Sequence, residues 1–457
     1  MSTPIQSVII VGAGAFGVST ALHFRKLHPY VQVTLIDRIR ENRGAASSDH
    51  NKIIRADYPD EFYMKLALEA QESWRNNPIY SPYYHETGML FAEEIGMGRA
   101  AFKNFKHLNV DQGATIMSTV EALERFPIFK GANWEDVTEN YFNPSSGWGE
   151  AHETMESVFR AALAEGVQFL EATVDKLILD PTTRACLGVR TSDGKEIFAD
   201  RTVLAVGAYT AKVLADTDPR WAELQVDGRM VAAAAIQCTA TYPPEEDERL
   251  SQAPVHFLGM WHTHGESIPP FKGKLKLNCE VSFTSMTYHD GLKKEISIPP
   301  KPESQSTFSH DVCEGLKQEV GNVVKNVYGD HVKGINIESY RMCWDAVSPN
   351  QSFIIDYHPA CDNLVIAGAG SFHSWKFLPT IGKYVVQRLF NELDDEKKRM
   401  WAWDRENEGA ACEMYIPSRD VKTIGPFQGW PRTEGTQKSV LPYSESTCQL
   451  DGDRDTY

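Results

Sequence analysis

Val8-Ile9-Ile10-Val11-Gly12-Ala13-Gly14-Ala15-Phe16-Gly17 stands at the head of the chain, and Asp37 closes the next apolar run, Val31-Gln32-Val33-Thr34-Leu35-Ile36. The first four residues predict a buried parallel strand. Gly12 permits a tight turn, Gly14 lets the backbone approach a pyrophosphate, and Gly17 lets the next helix pack on the strand. That helix aims its first N–H groups at phosphate. Asp37 lies twenty residues past Gly17, where a carboxylate accepts from ribose hydroxyls. The glycines alone are a weak signal. Strand, glycines, helix, strand and acid in register predict a dinucleotide-binding βαβ unit.

A chain of 457 residues is too long for one core, so two or three domains are expected. Hydrophobic content of 42% with 24% charged residues is that of an ordinary soluble protein. The net charge of −16 argues against nucleic acid and anionic membranes as partners. No apolar run approaches a membrane span; Val231 to Ile236 is far too short. The first strand begins so close to Met1 that no secretory leader is expected. The final Asp455-Thr456-Tyr457 is not a peroxisomal address. An intracellular, cytoplasmic protein is anticipated. Eight cysteines without a CxxC pair or metal-ligand spacing predict reduced thiols and no metal.

Along the chain, Glu61–Asn76 carries apolar positions at helical spacing. Helix and loop are then expected to alternate to about Asn140. A second helix spans Glu150–Gly166, followed by the strand 167–170 and short β segments at 174–179 and 186–190. Asp200–Ala208 reads as a buried strand ending in glycine. Residues 216–340 change character, with alternating segments and one helix near 312–328, which predicts an α+β insertion. Buried strands return at 353–356 and 364–368, followed by a helix over about 379–392. The expected division is therefore 1–60, 150–215 and 340–395 for the nucleotide domain. Residues 61–149 and 216–339 form the substrate domain, and 425–457 an extended or disordered tail.

The stretch 340–384, YRMCWDAVSPNQSFIIDYHPACDNLVIAGAGSFHSWKFLPTIGKY, makes a resemblance specific. With GAGAFG, NKIIRADY, the GAY at Gly207 and the LKL around Lys276, it resembles the FAD-dependent amine oxidases of the monomeric sarcosine oxidase superfamily. The branch it resembles holds the fungal pipecolate/saccharopine oxidases and the fructosyl amino acid oxidases. The resemblance implies an α/β fold: a discontinuous Rossmann-type FAD-binding domain with an inserted α+β substrate domain, as in D-amino acid oxidase and glutathione reductase. It implies FAD attached covalently through Cys343, in the block Cys343-Trp344-Asp345-Ala346-Val347-Ser348-Pro349. Cofactor contacts are implied at Gly12, Gly14, Ala15, Phe16, Gly17, Asp37, Arg38, Ser47, Ser48, Lys52, Val174, Gly207, Phe372, His373 and Lys376.

The same resemblance implies that Lys276 promotes reaction with O2, because a positive group stabilises a superoxide-like charge. It puts Lys52 over the flavin face, and Arg55 with Lys376 at a substrate carboxylate. Glu280 is implied to position a substrate amine or sugar. A fork and a point charge on one carboxylate favour an amino acid over a plain amine. The expected activity is oxidation of secondary or N-alkyl amino acids to imines, with O2 reduced to H2O2 by a monomeric enzyme.

Departures stand beside the resemblance. Phe372 and Ser374 flank His373 where relatives carry glycines, and Asp345-Ala346 replaces Tyr-Thr. These predict an altered pocket, in an enzyme of specialised metabolism. His262 and His264 are read as structural in preference to a proton-accepting pair. A solvated Lys276, or an Arg55 ion-paired to Asp57 or Asp60, is the plain alternative for each. Three rival functions remain: a fructosyl amino acid oxidase, an NAD-dependent dehydrogenase sharing the fingerprint, and a flavin-binding protein without turnover.

Overall fold

Ser7–Val11 lies inside a six-stranded sheet in a computed structural model that describes residues 4–38, 45–300, 309, 312–405 and 415–428. Its neighbours are Gln32–Asp37 and Arg201–Leu204, both parallel to it. Gln168–Glu171 and Leu364–Gly368 extend the sheet in parallel on either side, and Ile354–Tyr357 closes one edge antiparallel. The chain leaves the central strand toward one neighbour and returns by the other. The crevice at their carboxyl ends is therefore a topological switch point, where open α/β sheets bind ligands.

The helix Ala15–Leu27 starts from Gly14 and buries Ala15, Phe16, Val18, Ala21, Leu22 and Phe24. Arg25 and Lys26 in its last turn complement the negative end of the helix dipole. Glu61–Asn76 forms one helix, capped by Asp60 accepting from the Phe62 N–H at 2.6 Å. Its buried Tyr63, Met64, Leu66, Ala67, Ala70 and Trp74 repeat at helical spacing.

A second sheet has eight strands, in the order Asn336–Val347, Val231–Thr241, Lys274–Phe283, Thr263–Phe271, Val255–Met260, Met89–Glu93, Glu139–Asn143, Thr115–Ser118. Side chains alternate across it with period two. On one face Ile236, Cys238, Ala240, Leu275, Leu277 and Cys279 join a core covered by the helix Glu314–Tyr328, through Leu316, Val320, Val323 and Val327. The other face carries Gln237, Lys276, Asn278 and Glu280 toward a cavity.

Several expectations need correction. The stretch up to Asn140 is not helix and loop alone: it supplies three strands of the large sheet. Their partners are remote, Met89–Glu93 pairing in parallel with Val255–Met260, so local spacing could not register them. The strand expected over 200–208 is only Arg201–Leu204; Gly207, at φ +53°, opens a 3₁₀ turn instead. The strand Asn336–Val347, which bears Cys343, pairs with Val231–Thr241. Of the tail over 425–457, only 425–428 fall among the described residues. No helix among the described residues is long and apolar enough to cross a membrane, and none of their His, Cys, Asp and Glu side chains cluster as a metal site.

Candidate active site

The two sheets enclose a cavity of about 1030 Å³ that runs from Gly12, Gly14 and Asp37 to Lys276, Glu280 and Lys376. At the first end the glycine turn is sterically obligatory. Gly12 has φ +99°, and a Cβ there would lie 2.4 Å from the Ala205 carbonyl oxygen. A Cβ on Gly17 would lie 1.7 Å from the Gly12 oxygen, so the helix could not close on the strand. Asp37 lines the cavity, its Oδ2 accepting the Ala13 N–H at 2.6 Å. Ser47 Oγ accepts from the Ala15 N–H at 2.8 Å and so supports the start of the helix. Arg38 packs over the Tyr209 ring, 5.0 Å from its centroid.

The middle of the cavity is a charge network around Asp49. Lys276 Nζ donates to Asp49 Oδ2 at 2.7 Å and to the Asn51 carbonyl at 2.7 Å. Lys52 Nζ donates to the same Oδ2 at 3.1 Å, and Arg341 is 3.2 Å from Oδ1. Burial opposes the Asp49 charge, but Lys276, Lys52 and Arg341 overcome it and hold the carboxyl well below the usual range. Burial pushes Lys276 down, partly offset by Asp49. Burial also works against Lys52, but Asp49 and Cys343 outweigh it and raise the ammonium. Cys343 is in the wall and 4% exposed.

At the far end two cations share one aromatic ring. The Arg55 guanidinium carbon lies 4.9 Å from the Tyr58 centroid and Lys376 Nζ 5.4 Å. Arg55 donates to the backbone carbonyl of Asp57, not to its carboxylate. That carboxylate is held by Tyr141, Asn143 and Ser146, at 2.6, 2.7 and 2.6 Å. Lys376 Nζ donates to Tyr58 Oη at 3.2 Å and to the His373 carbonyl at 3.0 Å. Burial, then Arg55, push Lys376 well below its ordinary value. His373 contacts Tyr58 Oη through Nδ1 at 3.0 Å and the Gln351 carbonyl through Nε2 at 2.8 Å. The carbonyl can only accept, so Nε2 carries the proton. Burial, then Lys376, lower this imidazole to about 3.

The loop that carries Phe372 is bent unusually. Ala369, Ser371 and Phe372 have φ of +55°, +49° and +63°. Such left-handed backbone costs about 1–3 kcal/mol per residue and persists only where surroundings hold it. Here the Phe372 N–H donates to Asp345 Oδ2 at 2.9 Å and the Ser371 N–H to the Ala346 carbonyl at 2.9 Å. The Asp345-Ala346 pair that departs from the family pattern thus anchors the loop.

Of the expected site residues, Gly17 and Ser48 do not line the cavity; Gly17 closes helix on strand and the Ser48 N–H donates to the Ala45 carbonyl. The other expected residues do, Gly207, Val174 and Phe16 among them. His262 and His264 do not. Asp49, Tyr58, Gln237, Glu266, Arg341 and Tyr415 were not foreseen. Asp49 and Tyr58 flank the NKIIR segment, and Glu266 falls at the strand spacing from Ile268, so position alone offered a signal. Tyr415 had none.

The cavity fits a flavin dinucleotide. Gly12, Gly14 and Ala15 line it where the helix Ala15–Leu27 begins, at the positive end of the helix dipole, where phosphate binds. Two buried acceptors in its wall, Gln237 Oε1 and Glu280 Oε2, have no hydrogen-bond partner among the described residues and await donors from a ligand.

Comparison with known proteins agrees. The model of the family described as FAD dependent oxidoreductase matches residues 7–388. An L-saccharopine oxidase of Schizosaccharomyces pombe is 29% identical over 89% of this chain and 94% of its own. A monomeric sarcosine oxidase of a Bacillus species is 26% identical, over 85% and 92%. The solved fructosyl peptide oxidase from E. terrenum superposes with a TM-score of 0.80 at 22% identity, covering 93% of this chain and 98% of that one. The family match sets aside the NAD-dependent dehydrogenase. It spans both sheets and the cavity wall from Gly12 to Lys376, and the chain belongs to the FAD-dependent oxidoreductase family.

Proposed function

We propose that the protein oxidises a secondary or N-alkyl amino acid at the C–H bond next to nitrogen. Amine R₂CH–NHR′ and O2 give imine R₂C=NR′ and H2O2. FAD, when bound, supplies the hydride acceptor and the centre that passes electrons to O2. Gly12, Gly14, Asp37 and Ser47 would hold its dinucleotide portion, and Cys343 is the residue for a covalent bond to it.

The convergence of Arg55 and Lys376 on Tyr58 carries this reading. Burial and the Arg55 charge work against a charge on Lys376, and a carboxylate bound to both groups offsets that cost while accepting from each. The relatives named for saccharopine and sarcosine support it, both compounds being secondary amino acids. Lys276 places a buried positive charge at the cavity wall, where it would stabilise charge developing on O2. The net charge of −16 supports a small-molecule partner over a nucleic acid. A fructosyl amino acid as substrate is the second reading, favoured by the buried Glu280 at the far end of the cavity.

A peroxide-coupled screen of N-methyl amino acids, pipecolate, saccharopine and fructosyl amino acids tests the proposal. Turnover of a secondary amino acid, with none of the matched amine lacking the carboxylate, is expected. Turnover of fructosyl amino acids alone selects the second reading, and no peroxide from any of them leaves a flavin-binding protein.

A further inference from the structure

We propose that Glu266 and Glu280 act together as the proton acceptor for the substrate amine. The two residues sit on neighbouring antiparallel strands. Glu266 stands opposite Asn278, and Asn278 and Glu280 are two residues apart, so all three face the cavity. Asn278 Nδ2 donates to Glu266 Oε2 at 3.0 Å. Tyr415 Oη donates to Glu280 Oε1 at 2.6 Å. Glu280 Oε2 is buried with no hydrogen-bond partner among the described residues, and the Glu266 charge acts on its carboxyl. Repulsion between two carboxylates so placed makes the pair hold a first proton more tightly than a lone carboxylate does.

The inference rests on the amino acid reading above. A secondary amino acid reaches the cavity with its nitrogen protonated, and that nitrogen needs its lone pair before the neighbouring C–H can leave as hydride. The proton must therefore go to the protein. His373 is unsuited, because it is lowered to about 3 and both ring nitrogens are engaged. Lys276 is bound to Asp49. Lys376 is taken up by the substrate carboxylate in that reading, so the acid pair remains. The N–H bond of the ammonium breaks, its electron pair stays on nitrogen, and the proton bonds to an ionised carboxylate. An ammonium and a doubly ionised pair become a neutral amine and a pair that holds one proton and one negative charge. Groups facing Glu280 are Glu266 and Tyr415, with the Arg55 cation from the opposite wall, and Lys376 beside Arg55. Burial, then Glu266, raise Glu280 well above the ordinary range, the direction an acceptor for an amine proton requires.

The test uses the flavin-loaded protein and the Glu266→Gln, Glu280→Gln and Tyr415→Phe variants. The probes are sarcosine, pipecolate and saccharopine, each beside its thioether analogue, which keeps the carboxylates and has no proton to lose. Anaerobic stopped flow gives the limiting rate of flavin reduction from pH 6 to 9, and flavin absorbance gives thioether binding. In the wild type the rate should hold across neutral pH. In both Gln variants it should fall about tenfold per pH unit below the pKa of the amine, because only the small neutral fraction reacts. Thioether affinity should stay within about threefold of wild type, since no proton moves on its binding. Tyr415→Phe removes a donor to Glu280 and should shift the acid limb of the wild-type profile upward in pH. Gln variants that keep the wild-type profile, or a Tyr415→Phe limb that does not move, overturn the acid pair while the amino acid reading stands. If no probe reduces the flavin and no thioether binds, the amino acid reading falls and the acid pair with it.

Discussion

Lys276 Nζ lies 2.7 Å from Asp49 Oδ2, and both side chains are buried, at 3% and 0% exposure. The expected oxygen-facing lysine is therefore half of an ion pair, in a network that includes Lys52 and Arg341. Removing one partner of such a pair strands the other charge, which costs about 3–5 kcal/mol. Asp49→Asn should lower stability by that order at neutral pH. The folded-state pKa of Asp49 is depressed. Its contribution is thus complete above the unfolded carboxylate value of about 4 and fades as pH falls below it. Denaturant titrations at pH 7 and pH 3.5 should show the gap between variant and wild type narrowing; a gap that widens in acid contradicts the network.

For Lys276 itself the role is kinetic. Losing one preorganised charge typically costs about two to three powers of ten in rate. Lys276→Met should slow reoxidation of the photoreduced flavin by O2 to that degree while reduction by substrate changes little. An unchanged rate constant with O2 removes the assignment. Because Asp49 is then left with only Lys52 and Arg341, the double variant with Asp49→Asn is the control for stranded charge.

Much of this was legible in the sequence because it is local. GAGAFG, the Asp37 strand end and the Glu61–Asn76 helix each declare themselves within one window of spacing. The strands Met89–Glu93, Thr115–Ser118 and Glu139–Asn143 did not, since each is stabilised by partners far along the chain. The site divides the same way. Residues inside conserved-looking motifs of the resemblance fell on the cavity, whereas Glu266 and Tyr415 reach it only through strand pairing and the return of the C-terminal segment past Ser282. Asp49 shows the limit most plainly. It stands two residues before Asn51, yet its importance comes from Lys276 and Arg341, which are hundreds of residues away.

Cys343 gives a chemical test. It lines the cavity on the strand paired with Val231–Thr241, directly opposite Ala235. Acid precipitation of the wild type should carry the flavin into the pellet, and the Cys343→Ala variant should release it to the supernatant. Flavin wholly released from the wild type would mean that Cys343 is a buried thiol and nothing more.

His256 predicts an acid sensitivity remote from the cavity. It is fully buried, stacked on Phe129 at 4.2 Å, with neither ring nitrogen bonded to protein among the described residues. Burial lowers it to about 3. The unfolded imidazole takes a proton below about 6.5 while the folded one stays neutral, so wild type loses about 1.4 kcal/mol per pH unit in that range. His256→Leu removes this term. Its stability relative to wild type should rise by about 1.4 kcal/mol between pH 7.5 and 5.5, as read by denaturant melts. A difference independent of pH would mean the imidazole takes up its proton as readily in the folded state as in the unfolded one.

Arg55 and Lys376 come from segments more than three hundred residues apart, yet they rest on one Tyr58 ring. The loop after Asn51–Ile54 brings one, and the turn Trp375–Phe377 brings the other. Lys376 is anchored from behind by the His373 carbonyl and Tyr58 Oη, so its position does not depend on a ligand. If the two clamp a carboxylate, truncating either leaves that charge poorly paired in a partly dry site, at a cost of about 2–5 kcal/mol. Arg55→Met and Lys376→Met should each lower kcat/KM by that amount for a secondary amino acid. The loss should vanish for the matched amine without a carboxylate. Arg55→Lys should recover only part of it, because a point charge cannot replace the two-pronged contact of a guanidinium. Equal losses on both substrates would instead make these residues supports of the flavin or of the Tyr58 ring.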